Sequence, residues 1–250
     1  HKGKLLHNKR LRQSERDTLE NQDLGKQPDF TDENGIFDPK MAAQAELAKR
    51  ELARRHLLPF VQRFNDNYIP GWVHKDICLR LEKFSDDVEA KKSPRLMLFM
   101  PPRHGKSELA SKTFPAWHLG RYPDHEFIAC SYSGSLAMGF SRKVRGFLRD
   151  QQYQSLFETR LDPESQGAEQ WLTTKGGGYV AAGVGGPITG KGAHILVIDD
   201  PVKNREQAES ETARQTAKDW YTSTAYTRLA PGGGILVILT RWHDDDLAGW

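Results

Sequence analysis

The feature that most constrains this chain is a short loop set between a strand and a helix. Residues 95–100, RLMLFM, form a compact apolar run. Pro101-Pro102-Arg103-His104-Gly105-Lys106-Ser107-Glu108 follows, and then a stretch of helical character. A turn of this kind aims backbone N–H groups and the positive end of a helix dipole at one point, which suits a phosphate. Gly105 lets the backbone come close, Lys106 can reach the β- and γ-phosphates of a nucleotide, and Ser107 can hold Mg²⁺. The usual first glycine of G-x-x-x-x-G-K-S is Met100 here, and two prolines stiffen the loop instead. A Gly-Lys-Ser string also arises by chance in ordinary turns; its place between a strand and a helix gives it weight.

Two further elements complete the pattern. Ile195-Leu196-Val197-Ile198 is an apolar strand that delivers Asp199 and Asp200 at its C-terminal edge, where a nucleotide's metal sits in open α/β sheets. Asp199 is expected to hold Mg²⁺ through water or Ser107. Asp200 is expected to orient or deprotonate the attacking water, the alternative being a cap on the turn into Pro201. The strand 235–239, ILVIL, ends in Thr240-Arg241-Trp242-His243. Thr240 can sense the γ-phosphate, or simply satisfy backbone at the strand end. Asp244-Asp245-Asp246 reads as a solvated helix start rather than a metal site.

Composition narrows the class. The 250 residues can bury a sizeable core. Two cysteines exclude a disulfide scaffold and favour a reducing compartment. No run approaches the roughly 18 apolar residues of a membrane span, and the polar, basic start does not resemble a secretory signal. A net charge of +3 argues against a uniformly basic nucleic-acid surface. Residues 1–40 are poor in apolar side chains, basic first and then acidic, and read as a solvated arm or as an arm that docks on a neighbouring subunit or DNA. The absence of an initial Met and the stop at Trp250 read as a piece of a longer chain.

Asp38-Pro39 opens a helix that Pro59 ends or kinks. A second helix is expected over 74–84, a strand over 126–132, and a helix from Ser135, its N-cap, to Asp150. Two short strands joined at Gly176-Gly177-Gly178 are expected over 171–184, and a long polar helix over 205–229. A turn at 231–234 leads into the last strand. Apolar strands separated by helices predict an α/β fold with a mostly parallel sheet and helices on both faces. The domain reading is a polar arm and helix over 1–60, then one domain over 61–250. On the helix from Ser135, Leu136, Phe140, Val144, Phe147 and Leu148 share one face, and Arg142, Arg145 and Arg149 the other. Those arginines form a solvated face, or supply a cation to a neighbouring subunit. The loop 185–192, carrying Lys191, is a Gly-rich connection or a pore-facing loop.

PPRHGKSE, ILVIDDP and ILTRWH together resemble the N-terminal ATPase domain of the large terminase subunit of tailed double-stranded DNA bacteriophages, from Tyr68 to Trp250. The resemblance implies a P-loop NTPase fold of the additional-strand (ASCE) type, with ATP and Mg²⁺ as cofactors. It implies ATP hydrolysis that drives double-stranded DNA into a procapsid in the host cell cytoplasm. Its partners would be DNA, a small terminase subunit, a portal protein and further copies in a ring, a monomeric isolated domain being consistent with the resemblance. It also implies a C-terminal nuclease domain similar to RNase H, which nothing in this chain matches. By the same resemblance Pro102, Arg103, His104, Gly105, Lys106, Ser107 and Glu108 contact nucleotide, with Arg103 the basic residue inside the loop. Asp199 is the metal-binding acid, Asp200 replaces the catalytic Glu of many relatives with one methylene fewer, and Thr240 is the coupling residue. Arg142 is the first choice for an arginine finger acting in trans. Residues 68–74 resemble the segment that packs on adenine, with His74 where relatives often carry Gln. An aromatic cluster in core is the competing account of that segment. The rival functions are a helicase or other DNA-translocating ATPase, and a nucleotide-binding assembly protein with a degenerate site.

Overall fold

A computed structural model describes Phe30, residues 37–186, Ile188, Gly190 and residues 192–250. Most of the expected arm over 1–40, and Lys191, lie outside the described residues. The chain divides into two units, His1–Glu46 and Leu47–Trp250. Helix α1, Pro39–Arg55, starts in the first. Its N-terminus is capped as expected, the Lys40 N–H donating to Asp38 Oδ1 at 2.8 Å.

In the second unit α1 ends earlier than Pro59. His56 is extended, and a new helix α2, Leu57–Phe64, begins after it. Pro59 therefore sits in a first turn, where its missing N–H costs nothing. The Leu57 N–H donates to Glu82 Oε1 at 2.7 Å. Helix α3, Trp72–Glu89, is longer at both ends than the expected 74–84.

Seven strands form one sheet: β1 Arg95–Phe99, β2 Glu126–Ser131, β3 Leu161–Gln166, β4 Gln170–Thr173, β5 Gly178–Gly183, β6 Ala193–Asp199 and β7 Leu229–Leu239. Their order is β1-β7-β6-β2-β5-β4-β3. The first five in that order run parallel, and β4 and β3 are antiparallel additions. Strand β7 lies between β1 and β6, which is the additional-strand arrangement. Strand β3, LDPESQ, has no apolar alternation and contains Pro163, which only an edge position tolerates; it was not legible beforehand.

After the loop, a wide helical turn over Glu108–Thr113 runs into α4, Phe114–Arg121. Helix α5, Gly134–Arg149, is capped by Ser133 rather than Ser135, its Oγ accepting from the Leu136 N–H at 3.3 Å. Helix α6, Gln151–Leu156, follows. The long helix expected over 205–229 is broken: α7, Arg205–Glu209, stops at an extended Ser210, which caps α8, Glu211–Trp220. Looser turns continue to Arg228. The turn expected at 231–234 is instead a bulge inside β7, where the register passes from Ala193↔Leu229 to Ile195↔Gly234.

The central strands are buried on both faces, which is why they read as continuous apolar runs. Phe127, Ala129, Ile195, Val197, Leu236 and Ile238 face α3, α4 and α5 with Leu81, Phe114 and Val144. Ile128, Cys130, Leu196, Ile198, Ile235 and Val237 face the opposite way, under Trp220 and Ala225. This alternation sends Asp199 to the same face as Val197, towards the helix that follows the loop.

Candidate nucleotide site

The loop after β1 is built on two left-handed residues, Arg103 (φ 65°) and Gly105 (φ 83°). Gly105 takes this conformation freely, whereas Arg103 is strained there. The His104 ring folds back on the Pro102 carbonyl, Nδ1 to O 2.8 Å. His74 braces the loop from α3. Its Nδ1 accepts from the Gly71 N–H at 3.1 Å, so the proton sits on Nε2, which donates to the His104 carbonyl at 3.1 Å. Both ring nitrogens are thus engaged by backbone, and His74 holds the loop rather than offering a free edge to a base. The adjoining Ile69 and Trp72 are 90% and 82% exposed, while Tyr68 and Val73 pack against the core, so the segment is core in part.

Lys106 is buried, with 5% of its surface exposed. Its Nζ pairs with Asp200 Oδ2 at 2.9 Å and donates to Thr240 Oγ1 at 3.3 Å. Ser107 Oγ donates to Asp199 Oδ1 at 3.1 Å, and Ser111 Oγ donates to Asp199 Oδ2 at 2.5 Å. Asp199 is 1% exposed. Burial pushes its carboxyl up to about 6; the Ser111 and Ser107 hydrogen bonds and the Lys106 charge oppose that, and Asp200 adds to it. Asp200 has a left-handed backbone, φ 44°. Its Oδ1 accepts from the Thr240 N–H at 2.9 Å, its own N–H reaches the Ile238 carbonyl at 2.8 Å, and its carbonyl accepts from the Tyr132 N–H at 3.1 Å. Thr240 Oγ1 also donates to the Met100 carbonyl at 3.2 Å. Thr240 therefore satisfies backbone and touches both Lys106 and Asp200.

Five of the expected residues, Lys106, Ser107, Asp199, Asp200 and Thr240, meet in one cluster. Pro102, Arg103 and His104 stay exposed on the loop above a half-buried Gly105. Glu108 turns away to Lys112, at 2.6 Å. Arg142 is exposed on α5 and contacts no member of the cluster among the described residues. Its two neighbours are committed within the chain: Arg145 to the Gln166 carbonyl, and Arg149 to Gln166 Oε1 at 2.6 Å. Asp244, Asp245 and Asp246 lie in a turn rather than at a helix start; Asp244 and Asp245 are exposed and Asp246 is buried. Asp245 takes Lys218 at 2.5 Å and Arg214 at 3.2 Å, and Asp246 takes Arg241 at 2.6 Å. The two Asp245 pairs fasten the segment after Thr240 to α8, and the Asp246–Arg241 pair closes the segment on itself. A cavity beside Asp200 and Thr240 is walled by Pro201, Val202, Leu239 and Trp242, with Arg214 among its lining.

Ser111 went unrecognised in the sequence. The available signal was its spacing, four residues after Ser107 and so on the same helical face.

The donor set fits Mg²⁺ with a polyphosphate. One hydroxyl and one carboxylate from the protein suit an ion that keeps waters and takes phosphate oxygens. Lys106 and the loop N–H groups supply the cationic side. The described residues contain no group of three or more His, Cys, Asp or Glu side chains that could hold a metal by themselves.

The family model described as terminase large subunit, T4likevirus-type, N-terminal, matches residues 97–248. The chain belongs to the terminase large subunit family. The match carries this terminase from β1 through the segment after Thr240, so it contains all five clustered residues. Among solved structures, the terminase is similar to the HK97 bacteriophage large terminase, with a TM-score of 0.43 and 14% identity over 67% of this chain and 34% of that one. The chain spans about a third of the length of that protein. No curated protein matches the terminase in sequence. No helix among the described residues is long and apolar enough to cross a membrane.

Proposed function

We propose that this terminase domain is the Mg²⁺-dependent ATPase that drives double-stranded DNA into a procapsid. The observation that carries the reading is the meeting of Lys106 and Ser107 with Asp199, Asp200 and Thr240 at the C-terminal edge of three adjacent parallel strands. The N–H groups over Pro102–Ser107 bind phosphate oxygens, with Arg103 and His104 at the open side and Glu108 starting the helix. When bound, Mg²⁺ neutralises phosphate charge and polarises the transferred group. Ser107 and Asp199 hold it. Lys106 exchanges Asp200 for phosphate, which frees Oδ2 of Asp200 to accept a proton from water. Thr240, bonded to both, reports the change to the segment that Asp245 ties to α8.

No second cation beside Lys106 reaches the cluster within the chain, among the described residues. Arg142 of an adjacent copy fits that role, which makes the working form a ring. DNA, a small terminase subunit and a portal protein are the partners, and the host cytoplasm is the place of action. Residues 61–250 form the motor domain. One observation favours a second reading, a nucleotide-binding assembly protein: both Asp200 oxygens are already engaged.

The test is ATP turnover by the purified chain with DNA. Lys106→Ala should drop turnover to background, and unchanged turnover would sink the proposal. Binding of nucleotide without turnover in the unaltered chain would favour the second reading. Mixing Lys106→Ala with Arg142→Ala subunits should restore part of the activity. No rescue at any ratio removes Arg142 from its role.

A further inference from the structure

One buried hydroxyl at this edge of the sheet has nothing to bond. Ser131, the last residue of β2, is 0% exposed, and its Oγ has no hydrogen-bond partner among the described residues. Such a group has lost its water without compensation, so it lowers stability unless something else occupies its vicinity. Its position is specific. In the parallel ladder Ser131 is the register partner of Asp199 on one side and of Gly183 on the other. Register partners in adjacent strands lie about 4.8 Å apart and point to the same face. That face is shared with Phe127, Ala129, Ile195 and Val197, and it meets the helix carrying Ser107 and Ser111. Three hydroxyls therefore flank one carboxylate. Two are bonded to it, one per oxygen, and the third is close but out of hydrogen-bond reach. On its other side the partner is a glycine, which offers no side chain.

We propose that Ser131 is a positioning residue of the metal site, its Oγ bonding a water that belongs to the ion held by Ser107 and Asp199. This rests on the nucleotide-hydrolase reading and extends it to a third strand. Polar side chains set side by side on adjacent strands without a direct hydrogen bond are where a bridging water belongs. A magnesium ion keeps several of its waters, and such a water donates its hydrogens, one of which a serine Oγ can accept. Groups that act on a metal through such an intermediary typically change its affinity 10–100-fold when removed.

The experiment measures Mn²⁺ binding to the full 250-residue chain with saturating non-hydrolysable ATP analogue, by electron paramagnetic resonance. Binding of a fluorescent ATP analogue in EDTA and thermal melting without metal are followed in parallel. Ser131→Ala should raise the half-saturating Mn²⁺ concentration about tenfold. It should leave metal-free nucleotide binding unchanged and melt at or above the unaltered chain, because an orphan hydroxyl has been removed. Ser131→Thr, which keeps the hydroxyl, should recover the Mn²⁺ affinity. An unchanged Mn²⁺ curve in the Ala variant overturns the inference, as does a metal-free melt below that of the unaltered chain, which would mark a structural hydroxyl. If the unaltered chain binds nucleotide with no dependence on Mn²⁺, the hydrolase reading itself falls and takes the inference with it.

Discussion

Replacing Asp199 by Asn should make the metal-free protein more stable, not less. The carboxylate is 1% exposed, and its pKa rises from an ordinary 3.8 to about 6, mainly through burial. A raised folded-state pKa means that the native state binds the proton more tightly than the unfolded state. The stability linked to that proton is fully present below about pH 3.8 and is lost as the pH climbs through 6. A shift of about two units is worth about 3 kcal/mol, at ~1.4 kcal/mol per unit. Asn has nearly the same shape, keeps an acceptor for Ser107 or Ser111, and carries no charge to desolvate. Urea unfolding in EDTA at pH 4 and pH 8, for both proteins, isolates this group from all other titrations. The variant should gain little at pH 4 and up to about 3 kcal/mol at pH 8. A loss of stability at pH 8 equal to that at pH 4 would refute the claim that Asp199 is held in place against its own solvation. With Mg²⁺ and nucleotide present the order should reverse, since the charged carboxylate binds the ion more tightly than a neutral amide does.

Other substitutions test the scaffold. A Cβ at Gly177 would lie 2.4 Å from the Pro123 and His125 carbonyl oxygens, so Gly177→Ala should cost several kcal/mol in chemical denaturation. Ser133→Ala removes the α5 cap and should cost about 1 kcal/mol, while Ser135→Ala should be close to neutral. His118 is buried against Ser85 and His125, and burial holds its pKa well below 6.5. The unfolded chain therefore gains a proton that the native state refuses, and stability should fall with acidity below about pH 6.5 by up to ~1.4 kcal/mol per unit. His118→Asn should flatten that slope in pH-dependent melts.

The parts of the fold that were readable from sequence are those whose cause is local. ILVID and ILVIL are strands buried on both faces, and continuous burial leaves continuous apolar runs; RLMLFM reads the same way although β1 lies at the sheet edge with Met97 and Phe99 half exposed. The parts that misled have a cause elsewhere in the chain. Strand β3 is polar and exists because β4 pairs with it. The 205–229 helix breaks because Ser210 can cap a new helix more cheaply than it can extend the old one. Residues 231–234 look like a turn, yet β6 captures them as a bulge. At the site, Lys106, Ser107, Asp199, Asp200 and Thr240 announce themselves through strand-end position and residue type. Ser111 and Ser131 do not, because a serine acquires meaning only from the neighbour that sheet register or helical spacing puts beside it. The aspartates at 245 and 246 look like a helix start for the same reason: Arg214, Lys218 and Arg241 are what pair with them in a turn.

Strand β7 also sets a dimension. With neighbouring strands about 4.8 Å apart, the strand carrying the phosphate loop and the strand carrying Asp199 are held roughly 10 Å apart by one rigid spacer between them. That gap is fixed by two ladders that run without a break from Arg95↔Ile235 and Ile195↔Gly234 to the site, so its halves cannot be squeezed together by bending a loop. Thr240 stands at the tip of the spacer and bonds to both sides. The sheet thus behaves as an anvil of constant width: the parts free to travel during a working cycle are the pieces bolted to its rim, first among them the segment that Asp245 pins to α8.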